Sequence, residues 1–139
     1  LATITPASGV VGPMGALIIG ASAGFLCYYA CSFIKGKLGV DDSLDVAAVH
    51  GVGGILGTLL LAFLGVEGVL GGQGINFETS GEQFAVQAKG CAAAVALSVV
   101  ATFVIVRITG ALTNGIRVSE DDETEGLDQS SHGEKGYTL

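Results

Sequence analysis

From residue 46 to residue 66 the chain carries no Lys, Arg, Asp or Glu, and the same is true of residues 10–34 and 90–106. Each run has the length of a bilayer crossing, roughly 17–25 residues as a helix. In hydrocarbon a segment must satisfy its own backbone hydrogen bonds, so such runs are restricted to helices. Half of the residues are hydrophobic and only 14% are charged, too apolar for an ordinary soluble domain of 139 residues. Gly is abundant at 23 residues and Trp is absent, which suits helices packed backbone to backbone through small side chains.

The first span is expected over about 11–33. Pro13 lies near its start, where a missing backbone N–H is tolerated, and the loop Thr5-Pro6-Ala7-Ser8-Gly9 precedes it. Gly20-Ala21-Ser22-Ala23-Gly24 is a small-xxx-small motif that admits a second helix. After a short connection the second span is expected over 43–65, with Asp42 or Ser43 capping its start and Gly51, Gly53, Gly54 and Gly57 crowded within it. The Gly-rich stretch 65–83 reads as a loop. The third span is expected over 84–112, with Lys89 and Arg107 snorkelling toward opposite interfaces and Asn114-Gly115 as the helix stop. Residues 1–116 thus form a membrane part and 117–139 an acidic, hydrophilic tail.

The net charge of −7 is concentrated in that tail, where seven of the thirteen acids follow Arg117. No basic patch exists, which argues against a nucleic-acid partner. Cys27, Cys31 and Cys91 lie within apolar runs and read as packing residues, with neither a disulfide nor a metal site expected. Lys35 and Lys37 lie between the first and second spans and Arg117 follows the third, whereas residues 65–83 contain no Lys or Arg. By the positive-inside rule the tail is cytoplasmic and the Gly-rich loop external. The start, Leu1-Ala2-Thr3-Ile4-Thr5, has no initiator Met and no signal-peptide pattern, and reads as a piece of something longer.

His50 is the one titratable side chain from residue 46 to residue 66, and an ionisable group at membrane depth is by default a functional candidate. It stands in Asp45-Val46-Ala47-Ala48-Val49-His50-Gly51-Val52-Gly53-Gly54. Along an α-helix at about 100° per residue, Asp45 and His50 are separated by roughly 140°, which argues against a direct pair. Asp45 then reads as a first-turn capping or loop-organising acid, and Asp41 and Asp42 as acids at the helix start. A metal site fails on ligand count, since no His, Cys or carboxylate lies three or four residues from His50 and His132 is in the tail. No nucleophile and base occur at an interpretable spacing, so the reading is not that of an enzyme and calls for no cofactor.

The segment around His50 resembles the Asp-Val-x-x-Val-His-Gly-Val-x-Gly signature of the ammonium transporter (Amt/Mep/Rh) family. Agreement extends to Ala2-Thr3-Ile4-Thr5-Pro6-Ala7 with Gly9, to Gly15-Ala16-Leu17-Ile18-Ile19-Gly20, and to the tail, through Gly115-Ile116-Arg117-Val118, Glu125-Gly126-Leu127-Asp128 and Ser131-His132-Gly133-Glu134. The resemblance implies an all-α membrane protein. The chain would supply the end of the eighth helix and the last three of an eleven-helix bundle, followed by a cytoplasmic regulatory tail.

By the same resemblance His50 is the second of two pore histidines that share a hydrogen bond, and Val46 lines the cytoplasmic half of the pore. Ser130 stands where some members carry a phosphorylatable Thr, and Asp42 and Asp45 are structural acids. The implied partners are ammonium or ammonia, the lipid of the cell membrane, two further copies in a homotrimer, and a PII signalling protein on the cytoplasmic side. The chemistry fits: an unpaired cation in an apolar conduit is costly, whereas neutral imidazole offers one donor and one acceptor nitrogen without fixed charge. Two alternatives stand beside it, a His50 that merely hydrogen-bonds a neighbouring helix and a structural helix bundle with no pore of its own.

Overall fold

The computed structural model describes residues 1–72, 79–113 and 115–136. Their regular elements are all helices, without a strand among the described residues. A short 3-10 turn at Thr5–Ala7 precedes α1 (Pro13–Gly36); a π-helical turn at Ala47–Val52 runs directly into α2 (Gly53–Leu64); then come α3 (Ser80–Leu112), α4 (Glu120–Glu125) and α5 (Leu127–His132). Three helices, Pro13–Gly36, Ala47–Leu64 and Ser80–Leu112, are long and apolar enough to cross a membrane.

The chain divides into two units, Leu1–Ala94 and Val95–Leu139. In the first, the N-terminal segment packs into the angle between α1 and α2. Its core is Ala7, Ile19, Leu61 and Leu64, with Ile4, Val10, Val11 and Leu60 against them. Pro13 occupies the first turn of α1 as expected, because its absent N–H lies among donors that have no helical acceptor. Thr3 is buried and sits against Gly53 and Gly57, so close that a Cβ on Gly57 would collide with the Thr3 carbonyl oxygen. Gly12 is equally constrained by the carbonyls of Leu70 and Gly71, which ties the start of α1 to the turns after α2.

Two expected boundaries shift. The second helix begins after Asp45 rather than at residue 43, because Asp45 adopts a left-handed φ of 55° that no helix can contain. The third helix starts at Ser80 rather than 84. The Thr79 hydroxyl accepts from the Glu82 N–H at 3.2 Å and supplies a start signal hidden by the polar residues Glu82 and Gln83. The loop expected over 65–83 is therefore shorter; its part at 73–78 lies outside the described residues, as does Asn114 of the expected helix stop.

Most side chains of α3 stay exposed on this chain, a helix with apolar residues on every side. A helix hydrophobic all round belongs in a lipid or protein interior. Arg107 lays its guanidinium over the Phe103 ring, 4.9 Å from the centroid.

In the second unit the acidic run forms two one-and-a-half-turn helices. Ser119 caps α4, its hydroxyl accepting from the Asp122 N–H at 3.2 Å, and four acids fill the first turn. Gly126 (φ 96°) separates α4 from α5, and Gly133 in the left-handed region ends α5. Arg117 bridges to Glu123 at 3.2 Å. Ser130 is half-buried and its hydroxyl has no hydrogen-bond partner.

Candidate functional site

The approach to His50 is built by three polar contacts. Asp42, four residues upstream of the helix, accepts the Val46 N–H at 2.8 Å and the Ala47 N–H at 2.7 Å, one carboxylate oxygen to each. Two of the first-turn donors that a helix leaves unsatisfied are thereby closed. Asp45 turns away from the helix and reaches α1, where its carboxylate meets the Lys35 ammonium at 2.9 Å. The link clasps the end of α1 to the start of the following helix across a turn of ten residues or so, ordering the strained φ of Asp45.

The Lys35 ammonium holds the Asp45 carboxyl below the usual carboxylate range. A lowered folded-state value means that the pair contributes stability above the unfolded value of about 3.9, and that the contribution disappears as pH falls through the lower folded value. Asp45→Asn, which keeps the left-handed tolerance and removes the charge, is expected to lower the thermal midpoint of the complete protein by a constant amount between about pH 5 and 8. The gap between the two should close below about pH 4. A gap that widens in acid refutes the role of the pair.

His50 itself lies in the π-helical turn, exposed on this chain, with Val46 half-exposed one turn before it. The four clustered glycines separate into two faces. Gly53 and Gly57 are buried against Thr3, whereas Gly51 and Gly54 have open space where a Cβ would stand. The buried stripe runs Ala48, Gly53, Gly57, Leu61, and His50 is off it. Close to this turn, Val49 joins Thr3, Gly20, Gly24 and Cys27 around a cavity of about 450 Å³. The small-residue motif of α1 thus lines open space on this chain rather than a packed helix contact.

The arrangement offers a single imidazole on an apolar, glycine-smoothed surface, with all nearby carboxylates committed elsewhere: Asp42 to backbone N–H groups and Asp45 to Lys35. Such a group can accept and donate one hydrogen bond each without presenting a fixed negative charge.

The sequence matches the model of the Ammonium Transporter Family over residues 1–137. The chain belongs to that family. It is similar to the ammonium transporter of Aquifex aeolicus, 40% identical over the whole chain and 32% of that protein. It also resembles the ammonium transporter of Mycobacterium tuberculosis, 39% identical over 99% of this chain and 30% of the relative. Against the ammonium transporter of Bacillus subtilis the identity is 35%, covering 99% of this chain and 34% of the relative. The chain spans about a third of the length of the curated relatives it matches.

On this chain the structure brings Asp42 to the helix that carries His50 and Val46, and draws Asp45 away to α1. Ser130 stands in the other unit, on α5. Sequence alone assigns neither Lys35 nor Thr3 a contact with the helix that carries His50. Lys35 looked like a loop charge, and its partner is ten residues away across a turn. Thr3 had one detectable signal, the four-residue spacing of Gly53 and Gly57, which marks a close backbone approach without saying by what.

Proposed function

We propose that this chain forms the C-terminal part of a transporter that moves ammonium or ammonia across a membrane through a narrow apolar conduit, with His50 as a conduit residue. The observation that carries the proposal is the placement of an imidazole on the open face of a membrane-length helix, away from the packed stripe and from every nearby carboxylate. Passing an intact cation through hydrocarbon depth is costly, and a neutral hydrogen-bonding group lets ammonia and its proton be handled without a trap for other cations. Family membership and the relatives' names support the substrate. Val46, one helical turn toward the start of the helix, lines the same conduit. The test is ammonium against potassium current from the complete transporter in liposomes, with the imidazole present and removed.

The same reading makes the complete protein a homotrimer in the cell membrane with a cytoplasmic tail. The orientation rests on Lys35, Lys37 and Arg117 against the absence of Lys and Arg from 65–83. Cysteines introduced at the exposed positions Thr79 and Ser131 are expected to be labelled by an impermeant reagent from outside and inside respectively; the reverse pattern refutes the topology.

The tail is a regulatory segment in this reading, ordered by its two capped helices, with Ser130 as a modification point and a PII signalling protein as a cytoplasmic partner. Truncation from Val118 should leave insertion intact and change transport or its regulation. Unchanged flux and unchanged control would make the tail a solvated surface.

A further inference from the structure

The helix that carries His50 is not a continuous α-helix. At Ala47–Val52 it makes a π-helical turn, closed by the Gly53 N–H donating to the Ala48 carbonyl five residues back. The packing stripe registers the same extra residue. Of the buried positions after the turn, Gly53, Gly57, Leu61, Ala62 and Leu64, the first three step by four, whereas across His50 the step is five, from Ala48 to Gly53.

Helical arithmetic shows what this does. In an uninterrupted α-helix at 3.6 residues per turn, Ala48 would lie about 140° around from Gly53, while Val49 and His50 would flank it at about 40° and 60°. An α-helix would therefore put Ala48 on the open face and swing His50 toward Thr3 and α1. The structure has the opposite arrangement: Ala48 is 1% exposed and packed, and His50 is exposed. Gly53 meets Thr3 and Cys27 there, and Ala48 is the smallest side chain that can stand next to it.

We infer that the π-helical turn is the positioning device of the site: one additional residue in the backbone turns His50 off the packed stripe and into the conduit. The inference rests on the proposed role of His50 for its purpose, but its geometry is testable without any transport. Single π-helical turns are rare and concentrate at functional sites, since a strained hydrogen-bond ladder is kept where side-chain aim matters.

The experiment is made in the complete transporter in liposomes, with its native thiols removed (Cys27→Ala, Cys31→Ser and Cys91→Ala on this chain, and any cysteines elsewhere). Single cysteines at positions 48 and 50 are exposed to methyl methanethiosulfonate, and the modified fraction is read by mass. With the π-helical turn in place, His50→Cys reacts and Ala48→Cys is protected; any other pattern overturns the inference. Deleting Ala47 lets the helix close with α register, and the pattern should then invert, with loss of reaction at 50 and gain at 48. A deletion variant that assembles and keeps the parent pattern also overturns it, and if the deletion prevents assembly, the parent pattern alone decides. Should His50→Ala transport at the parent rate, the conduit reading fails, whereas the thiol pattern still judges the turn.

Discussion

Removing the imidazole at position 50 is expected to abolish most ammonium flux through the complete transporter while leaving its assembly intact. Among the described residues the His50 imidazole makes no hydrogen bond that its loss would break, and it is off the packed stripe of the helix, so His50→Ala opens no cavity in this part of the core. What disappears is a donor and an acceptor at hydrocarbon depth, leaving an apolar gap where a desolvated ammonium or its proton has nothing to bond. Loss of one well-placed group of this kind corresponds to about 10²–10⁴-fold in rate where proton transfer depends on it. His50→Glu separates the two possible costs. A carboxylate restores polarity but adds fixed charge, so flux should return in part with weaker discrimination against potassium. Parent-rate, ammonium-selective transport by an assembled His50→Ala protein would make His50 a packing residue and end the proposal.

Gly57→Ala is expected to be the most damaging single methyl that can be added to the helix. Alanine in place of glycine ordinarily stabilises a helix interior by about 1 kcal/mol. Here the new Cβ would collide with the Thr3 carbonyl oxygen, and backbone cannot rotate aside as a side chain does. Overpacking in a well-filled interior costs about 1–3 kcal/mol, and an immovable obstacle belongs at the upper end or beyond. Gly53→Ala provides the contrast. Its Cβ would lie 2.7 Å from the Thr3 hydroxyl oxygen and 3.2 Å from the Cys27 sulfur, both side-chain atoms. Adding Thr3→Ala should therefore recover much of the stability lost in Gly53→Ala and none of that lost in Gly57→Ala, as read by thermal unfolding of the complete protein. Equal rescue of both, or of neither, would show that Thr3 does not set the spacing between the N-terminal segment and α2.

Three membrane-length helices were legible from charge-free runs alone, because in hydrocarbon the cost of an unpaired charge and of an unsatisfied backbone group leaves few other solutions. Pro13 at the head of α1 and the capping by Asp42 were legible for the same local reason, since both concern donors that any helix start must deal with. His50 stood out as the lone imidazole of its span. What sequence did not disclose is where that imidazole points. Equal angular steps of about 100° were assumed on both sides of it, and a single five-residue step at Ala48 to Gly53 cancels that assumption.

The Lys35–Asp45 bridge was hidden likewise, because it joins two elements across a turn whose path depends on one left-handed residue. The glycine cluster illustrates the division most plainly. Its composition predicted close approach, but only packing assigned Gly53 and Gly57 to Thr3 and left Gly51 and Gly54 facing open space with His50. Solvent and hydrogen-bond demands act on each segment separately and can be read from its residues. Register, side-chain aim and ion pairing depend on which atoms of distant segments compete for the same space, and that competition is decided only when the helices are in contact.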